Sequence, residues 1–369
     1  KKNALRTLSA SPVQLDNPRA WRTYLGGSLL DTLHGQSPVR DTHFPEEWIA
    51  STVSARNAGR ELIRDEGLSH LMGLPDVSLK SLIEIDPAAF LGAEHSGRFA
   101  GQMGVLIKLI DSSERLSIQV HPDKERAKAL FDSDFGKTEC WHVLGGRTIN
   151  GEKPSIYFGF QENVTREHWQ HLFAIQDIPG MLACMHHFEV TAGDTFLIEG
   201  GTPHAIGAGC FLAEIQEPTD FTVRVERQSA SGMPIADSMC HQGLGFERMF
   251  DCFDYTGFPR EETLARWRIP AKRLEADGGA EVVQVIGYEN TPMFRMDLIS
   301  VSETLKFSGK DSFSVLYVLS GSGTLESANE SFSLRRGQQF FLPAGVRGFS
   351  LSARMGDPLN VLHCFGPRG

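Results

Sequence analysis

Gln119 and His121 stand two positions apart in Leu116-Ser117-Ile118-Gln119-Val120-His121, a stretch that alternates apolar and polar residues. Strand side chains change face at every residue, so Leu116, Ile118 and Val120 fall on one side and Ser117, Gln119 and His121 share the other. An amide and an imidazole projecting into one volume are the beginning of a metal cage. Two further donors lie near expected strand ends: Glu139 in Gly136-Lys137-Thr138-Glu139-Cys140-Trp141, and His204 at the close of the run from Gly193-Asp194 through Glu199-Gly200-Gly201-Thr202-Pro203. Two imidazoles, a carboxylate and an amide oxygen suit zinc or another divalent transition metal. Spacing ties only Gln119 to His121. Whether Glu139 and His204 meet them is open at this level, and each residue taken alone has a structural reading, such as His121 capping the helix expected after Pro122.

The elements that must position these groups are mostly short strands. Residues 47–53 alternate like a half-buried strand, and Val105 to Ile110, Leu116 to His121, Phe188 to Ile198, Phe211 to Gln216 and Phe221 to Glu226 follow in the same manner. Residues 68–90 read as short helices. Helices are also expected from Asp123 to Phe131, with an acidic first turn, and from Thr165 to Gln176, which opens on a capping-box-like Thr165-Arg166-Glu167-His168. A charged, Pro-containing stretch from Phe258 to Lys272 separates this part from residues 281–367. There Val315 to Leu319, Gly323 to Glu326, Phe332 to Leu334 and Gln339 to Leu342 read as further strands. Many short strands punctuated by Gly and Pro, without beta-alpha-beta alternation, indicate a mainly β protein built on antiparallel barrels or jelly rolls. Two in tandem account for the length, with a boundary near Ile269: residues 1–268 carry the donors and a small helical insertion at about 123–180, and residues 269–369 form a second barrel.

The composition excludes several functions. With 36 basic and 46 acidic residues among 369, the formal net charge is -10, which argues against a nucleic-acid or acidic-membrane partner. An anionic substrate must therefore meet a local basic pocket. The six cysteines, Cys140, Cys184, Cys210, Cys240, Cys252 and Cys364, contain no C-x-x-C pair, which points to reduced thiols in a cytoplasm and away from a disulfide framework or a thiolate zinc site. No apolar run approaches the eighteen or so residues of a membrane span. The chain opens Lys1-Lys2 without a methionine, so its true start is expected to lie upstream. Oligomeric state is open between monomer and homodimer.

Three stretches resemble the type I mannose-6-phosphate isomerases of the cupin superfamily: Leu116 to Asp123, Gly136 to Trp141, and Gly193-Asp194 through Pro203-His204-Ala205, which looks like the second cupin motif. Their order and spacing also match. Pro45-Glu46-Glu47-Trp48 and Glu214-Ile215-Gln216 have counterparts too, so the likeness spans roughly residues 20 to 230. The resemblance implies that Gln119, His121, Glu139 and His204 bind one zinc ion per chain. It implies a reaction as well, the interconversion of mannose 6-phosphate and fructose 6-phosphate by proton transfer between C1 and C2 through a cis-enediol, with a small sugar phosphate as partner.

Such a reaction needs a base near C2, a polarised carbonyl and a cationic grip on the phosphate. Lys137 shares the strand face of Glu139 and can enter the cavity. Glu214 and Arg224 match positions lining the family's site: Arg224 can steady an enediolate or bind phosphate, while Glu214 either transfers the proton or orients Arg224 by a salt bridge. Lys108 matches a family lysine and either pairs with phosphate or snorkels at the surface. Trp48 and Trp141 read as cavity wall, and His142, His186 and His187 as structural. Two departures surround the pocket. Glu199-Gly200-Gly201 replaces a Pro and puts a carboxylate near the metal entrance, and Glu217 to Val223 replaces an Asn or Ser run and a Tyr before the Arg. They leave room for an isomerase of a related phosphosugar, or for a sugar-phosphate-binding paralogue without turnover. An iron cupin oxygenase or an epimerase is disfavoured by the Gln119 amide and the Lys137 and Arg224 cations. In the second barrel, Gly337 to Gly345 has cupin punctuation, but Val346-Arg347-Gly348 stands where a ligand histidine would follow, so that barrel is expected to be metal-free.

Overall fold

A computed structural model of the chain describes residues 2–274, 277, 279–328 and 330–368. The short apolar runs between turns assemble into four antiparallel sheets. One has the strand order Met185–Glu189, Ser155–Phe160, His204–Ile206, Gln119–Val120, Val223–Arg224. A second has the order Thr195–Ile198, Glu139–Gly146, Cys210–Gln216, Leu106–Asp111, Glu46–Ile49, Arg19–Ala20. The third takes Lys272–Leu274, Ala280–Ile286, Arg295–Val301, Leu359–Phe365, Ser314–Ser320 and Gln339–Leu342, and ends on Val13–Leu15, His70–Leu71 and Leu74–Ser78. The fourth consists of Thr304–Ser308, Gly348–Ala353, Ser322–Ser327 and Ser331–Arg335. The protein is thus mainly β, as its punctuation predicts.

Alternation along the strands explains how the sheets stack. On the second sheet, Trp141, Val143, Phe196 and Leu212 face Phe158, Ile156 and Ile206 of the first and bury one core between them. The opposite side chains, Ile107, Leu109, Ala213 and Ile215, pack against Val315, Tyr317, Phe341 and Leu362 of the nine-stranded sheet. That sheet's other face, with Ile299, Leu316 and Val361, closes on Leu325 and Leu351 of the four-stranded sheet. The outer face of the first sheet, through Ile118 and Val120 and, past the bulge at Gly159, Phe160, is covered by Trp169, Leu172 and Phe173 of a helix. Each layer therefore buries the apolar side that the strand period exposes.

The helices start where their caps predict. Asp123 accepts from the amide of Arg126 ahead of Lys124–Phe131, and Thr165 accepts from that of His168 ahead of Arg166–Ile175. Three expectations are revised. Residues 123–180 hold the strands Glu139–Gly146 and Ser155–Phe160 besides their helices. Residues 68–90 contain His70–Leu71 and Leu74–Ser78 before the helices Leu79–Ile83 and Pro87–Leu91. The strands expected over Leu116 to His121 and Phe221 to Glu226 are regular only at Gln119–Val120 and Val223–Arg224. The cause is Glu226, whose carboxylate takes the amide of Ile118 at 2.6 Å and ion-pairs with Arg115, replacing a ladder partner with a side chain. No helix among the described residues is long and apolar enough to cross a membrane.

Candidate metal centre and the cleft beside it

Strand register brings the donors together. His204 lies directly opposite Gln119 on one side, and Arg224 lies opposite Gln119 on the other, so three neighbouring strands present these groups in one row. Across the interior, Trp48, Lys108, Glu214 and Trp141 form a second row over four strands of the facing sheet. Glu139 precedes Trp141 by two residues and shares its face, with Lys137 one further step along. The site is the space between the two rows.

The imidazole orientation is fixed by the backbone. His121 donates through Nδ1 to the carbonyl of Phe221 at 2.9 Å, and His204 through Nδ1 to that of Thr202 at 2.8 Å. A carbonyl only accepts, so both Nδ1 atoms carry the proton and both Nε2 atoms present a lone pair. Those lone pairs lie 3.1 Å apart, and the Glu139 carboxylate oxygens sit 3.3 Å from Nε2 of His121 and 3.4 Å from Nε2 of His204. Three electron-rich groups this close repel unless a cation lies between them. All three side chains are buried, and one ligand atom from each falls within 4.8 Å of the others. The Gln119 amide, 3.3 Å from Nε2 of His204, completes the ring of donors. Burial, with Lys137 adding to it, pushes His121 down to about 3, and burial lowers His204 as well. Burial alone would raise the Glu139 carboxyl, but Lys137 and His121 outweigh it and hold the group well below its usual range. Neutral imidazoles and an ionised carboxylate are the protonation states a metal requires, so His121, Glu139 and His204 can hold a metal ion.

Beside the cluster lies a narrow cavity of about 40 Å³. Lys137 bridges the two: its Nζ is 2.8 Å from Nε2 of His121 and 3.0 Å from a Glu139 oxygen. Lys108 is buried and not a snorkelling surface residue. It ion-pairs with Glu214 at 3.0 Å and stands over the Trp48 ring. Glu214 consequently does not orient Arg224; its other oxygen accepts from the Trp141 indole at 3.0 Å. Burial and the nearby Glu139 raise the Glu214 carboxyl. Arg224 donates to the carbonyls of Thr222 and Met239, each at 3.0 Å, and has no carboxylate partner among the described residues. Trp48 and Trp141, expected at the cavity wall, are fully buried behind it, and their indoles hold Glu46 and Glu139. His142 contacts the Thr195 hydroxyl and His186 the Phe258 carbonyl, both in supporting roles, and His187 stacks on Tyr157. Glu199 corrects the sequence reading: its carboxylate is exposed and accepts from the Trp267 indole, and it does not line the cavity.

Several cavity residues escaped the sequence reading. Arg22 reaches Glu46 at 3.0 Å and Asp220 at 3.3 Å, and Tyr24 donates to Glu46. Glu46 had a signal, since it shares a strand face with Trp48; Arg22 and Asp220 lie on loops whose spacing carries none. Glu217 was read only as a departure, yet its carboxylate accepts the amides of Gly136 and Thr138, on both sides of Lys137. Gly136 itself is required by close approach: a Cβ there would lie 2.8 Å from backbone atoms of Pro122, Asp123 and Lys124.

Two family models match this chain. Residues 64–138 match the catalytic domain of type I phosphomannose isomerase, and residues 285–356 match the cupin domain of mannose-6-phosphate isomerase. The first match includes Gln119, His121 and Lys137 and stops one residue before Glu139. A mannose-6-phosphate isomerase of Streptococcus mutans is 29% identical over 274 residues, covering 71% of this chain and 77% of the relative. The crystal structure of the Bacillus subtilis mannose 6-phosphate isomerase superposes with a TM-score of 0.70 at 22% identity, covering 96% of this chain and 99% of that one. A mannose 6-phosphate isomerase structure bound with zinc and yttrium superposes with a TM-score of 0.70 at 16% identity, over 97% of this chain and 100% of that one.

Proposed function

We propose that this chain, a relative of the type I mannose-6-phosphate isomerases, is itself a metal-dependent aldose-ketose isomerase that interconverts mannose 6-phosphate and fructose 6-phosphate. The observation that carries the reading is the convergence of two Nε2 lone pairs and the Glu139 carboxylate, edged by Gln119, on a cavity that also receives Lys137, Glu214 and Arg224. Gln119, His121, Glu139 and His204 are assigned to one zinc ion, the Gln119 amide presenting its oxygen after a half-turn of its last torsion. When bound, the metal supplies Lewis acidity for the sugar oxygens at C1 and C2.

The chain's own residues do the rest. Proton transfer through the cis-enediol falls to Lys137 or Glu214, the two titratable groups next to the cluster on the cavity side. Arg224, held by neutral carbonyls, keeps its charge for an oxyanion, either the developing enediolate or the phosphate. Lys108 contributes to phosphate binding through the field of its pair with Glu214. Lining cations Arg22, Lys108, Lys137 and Arg224 against carboxylates Glu46, Glu214 and Asp220 leave an excess of one positive charge, the local basic pocket that a net charge of -10 demands. The paired sheets are read as two cupin jelly rolls in tandem, with residues 1–268 catalytic and residues 269–369 a metal-free barrel, the latter completed at its edge by Val13–Leu15.

A second reading is favoured by Asp220, a carboxylate on the cavity wall within the departing segment. It adjusts the pocket to a related phosphosugar, or to binding without turnover. A coupled assay on zinc-loaded protein, run over a panel of hexose phosphates, separates these. Turnover of mannose 6-phosphate supports the proposal, turnover of another sugar alone moves the substrate, and tight binding with no turnover of any of them overturns the enzyme reading.

A further inference from the structure

A second cavity, of about 250 Å³, opens at one end of the space between the nine-stranded and four-stranded sheets. It is separate from the metal cluster and unused by the proposed reaction. Its body is apolar, walled by Leu305, Phe307, Leu342, Val346 and Phe349, with the Phe307 and Phe349 rings stacked at 4.5 Å. Its polar groups come from strand positions that share the interior face. Asp297 stands opposite His363 and Arg295 opposite Phe365, while Lys310 reaches in from the loop after Thr304–Ser308.

The charge balance of this cavity is uneven. Arg295 occupies both oxygens of Asp297, at 3.0 and 2.6 Å, so that pair is internally neutral and Asp297 has no oxygen free for a metal. Lys310 stands 4.8 Å from the Phe365 ring and has no carboxylate partner among the described residues. His363 is 4% exposed and its Nε2 is buried with no hydrogen-bond partner. Burial, together with Lys310 and Arg295, pushes its imidazole down to about 3, so it is neutral, and in the tautomer protonated at Nε2 it has an N–H to give. An orphaned buried polar atom costs on the order of 1–3 kcal/mol, a cost that a ligand accepting this N–H removes.

We propose that this cavity is a binding site for a small monoanion with an apolar body, of the aromatic or branched aliphatic carboxylate class. The carboxylate lies between Lys310 and the His363 N–H, and the apolar body lies against Phe307, Phe349 and Leu342. A few convergent polar groups in an apolar cavity are what fixes such a ligand's orientation.

The probe is 3-bromophenylacetate, titrated calorimetrically into the full metal-loaded chain and soaked into crystals for bromine anomalous scattering. The expected result is one site per chain with bromine density in this cavity. The neutral 3-bromophenylacetamide and the variant Lys310→Met should each weaken binding by about ten-fold or more, His363→Phe should weaken it as well, and sugar-phosphate turnover by Lys310→Met should be unchanged. Three outcomes overturn the proposal: no heat in solution up to about 10 mM probe, bromine density elsewhere only, or an amide that binds as tightly as the acid. Lys310 is exposed, so its variant remains informative if His363→Phe fails to fold.

Discussion

The carbonyls of Phe221 and Thr202 decide what His121 and His204 can do, because by accepting from Nδ1 they point both Nε2 lone pairs at Glu139. Lys137 contacts the same donors through its ammonium, which makes it the cation nearest any sugar carbon bound beside the cluster. If it transfers the proton, Lys137→Met should lower kcat by roughly 10²–10⁴-fold while metal content stays near one per chain. Steady-state kinetics alongside elemental analysis checks this, and an unchanged kcat would shift the role to Glu214. At this scale the sequence was informative where two groups share a strand. Gln119 with His121, and Lys137 with Glu139, follow from alternation alone. It was silent where a side chain meets a distant one: nothing near Lys108 announces Glu214 as its partner, and nothing near Glu199 announces Trp267.

Register between strands is what assembles the site, and register is not written in any one segment. His204 opposite Gln119 and Gln216 opposite Glu139 are pairings over 85 and 77 residues of chain, set by how buried faces align once the sheets meet. The alternation of Leu116 to His121 was legible, yet its regular part shrank to Gln119–Val120 because Glu226, over a hundred residues away, caps the amide of Ile118. The strand Val13–Leu15 was not anticipated at all. Three residues carry too little pattern, and its partner is Gln339–Leu342 at the far end of the sequence. Leu15 is 1% exposed in the core between the six- and nine-stranded sheets. Leu15→Ala should therefore cost about 2–5 kcal/mol of unfolding free energy, measurable by denaturant titration, although the residue lies outside the cavity. A loss below about 0.5 kcal/mol would show that this short strand is dispensable.

Across the whole molecule, helices and four sheets stack in one series over four buried interfaces, and the two sheet pairs are stitched by polar bonds as well as apolar contact. Tyr317 of the nine-stranded sheet donates to Glu47 at 2.5 Å, and Glu47 neighbours Glu46 and Trp48 on the site strand. His363 gives the fold a pH dependence of known sign. Its folded value, about 3, lies below the unfolded 6.5, so as pH falls below about 6.5 the unfolded chain takes up a proton that the folded one refuses. Stability should fall by up to about 1.4 kcal/mol per pH unit from this group, and His363→Phe should remove that share of the slope in denaturant titrations between pH 6.5 and 4.5. A slope unaltered by the substitution would place the proton uptake elsewhere. The most direct test of the central reading is a metal titration. Chelated protein is reconstituted with increasing zinc while fructose 6-phosphate formed from mannose 6-phosphate is followed, with Glu139→Ala in parallel. The account predicts activity that rises linearly and breaks at one metal per chain, and a variant that neither retains the ion nor turns over. Full activity without metal, or undiminished activity in Glu139→Ala, would contradict it.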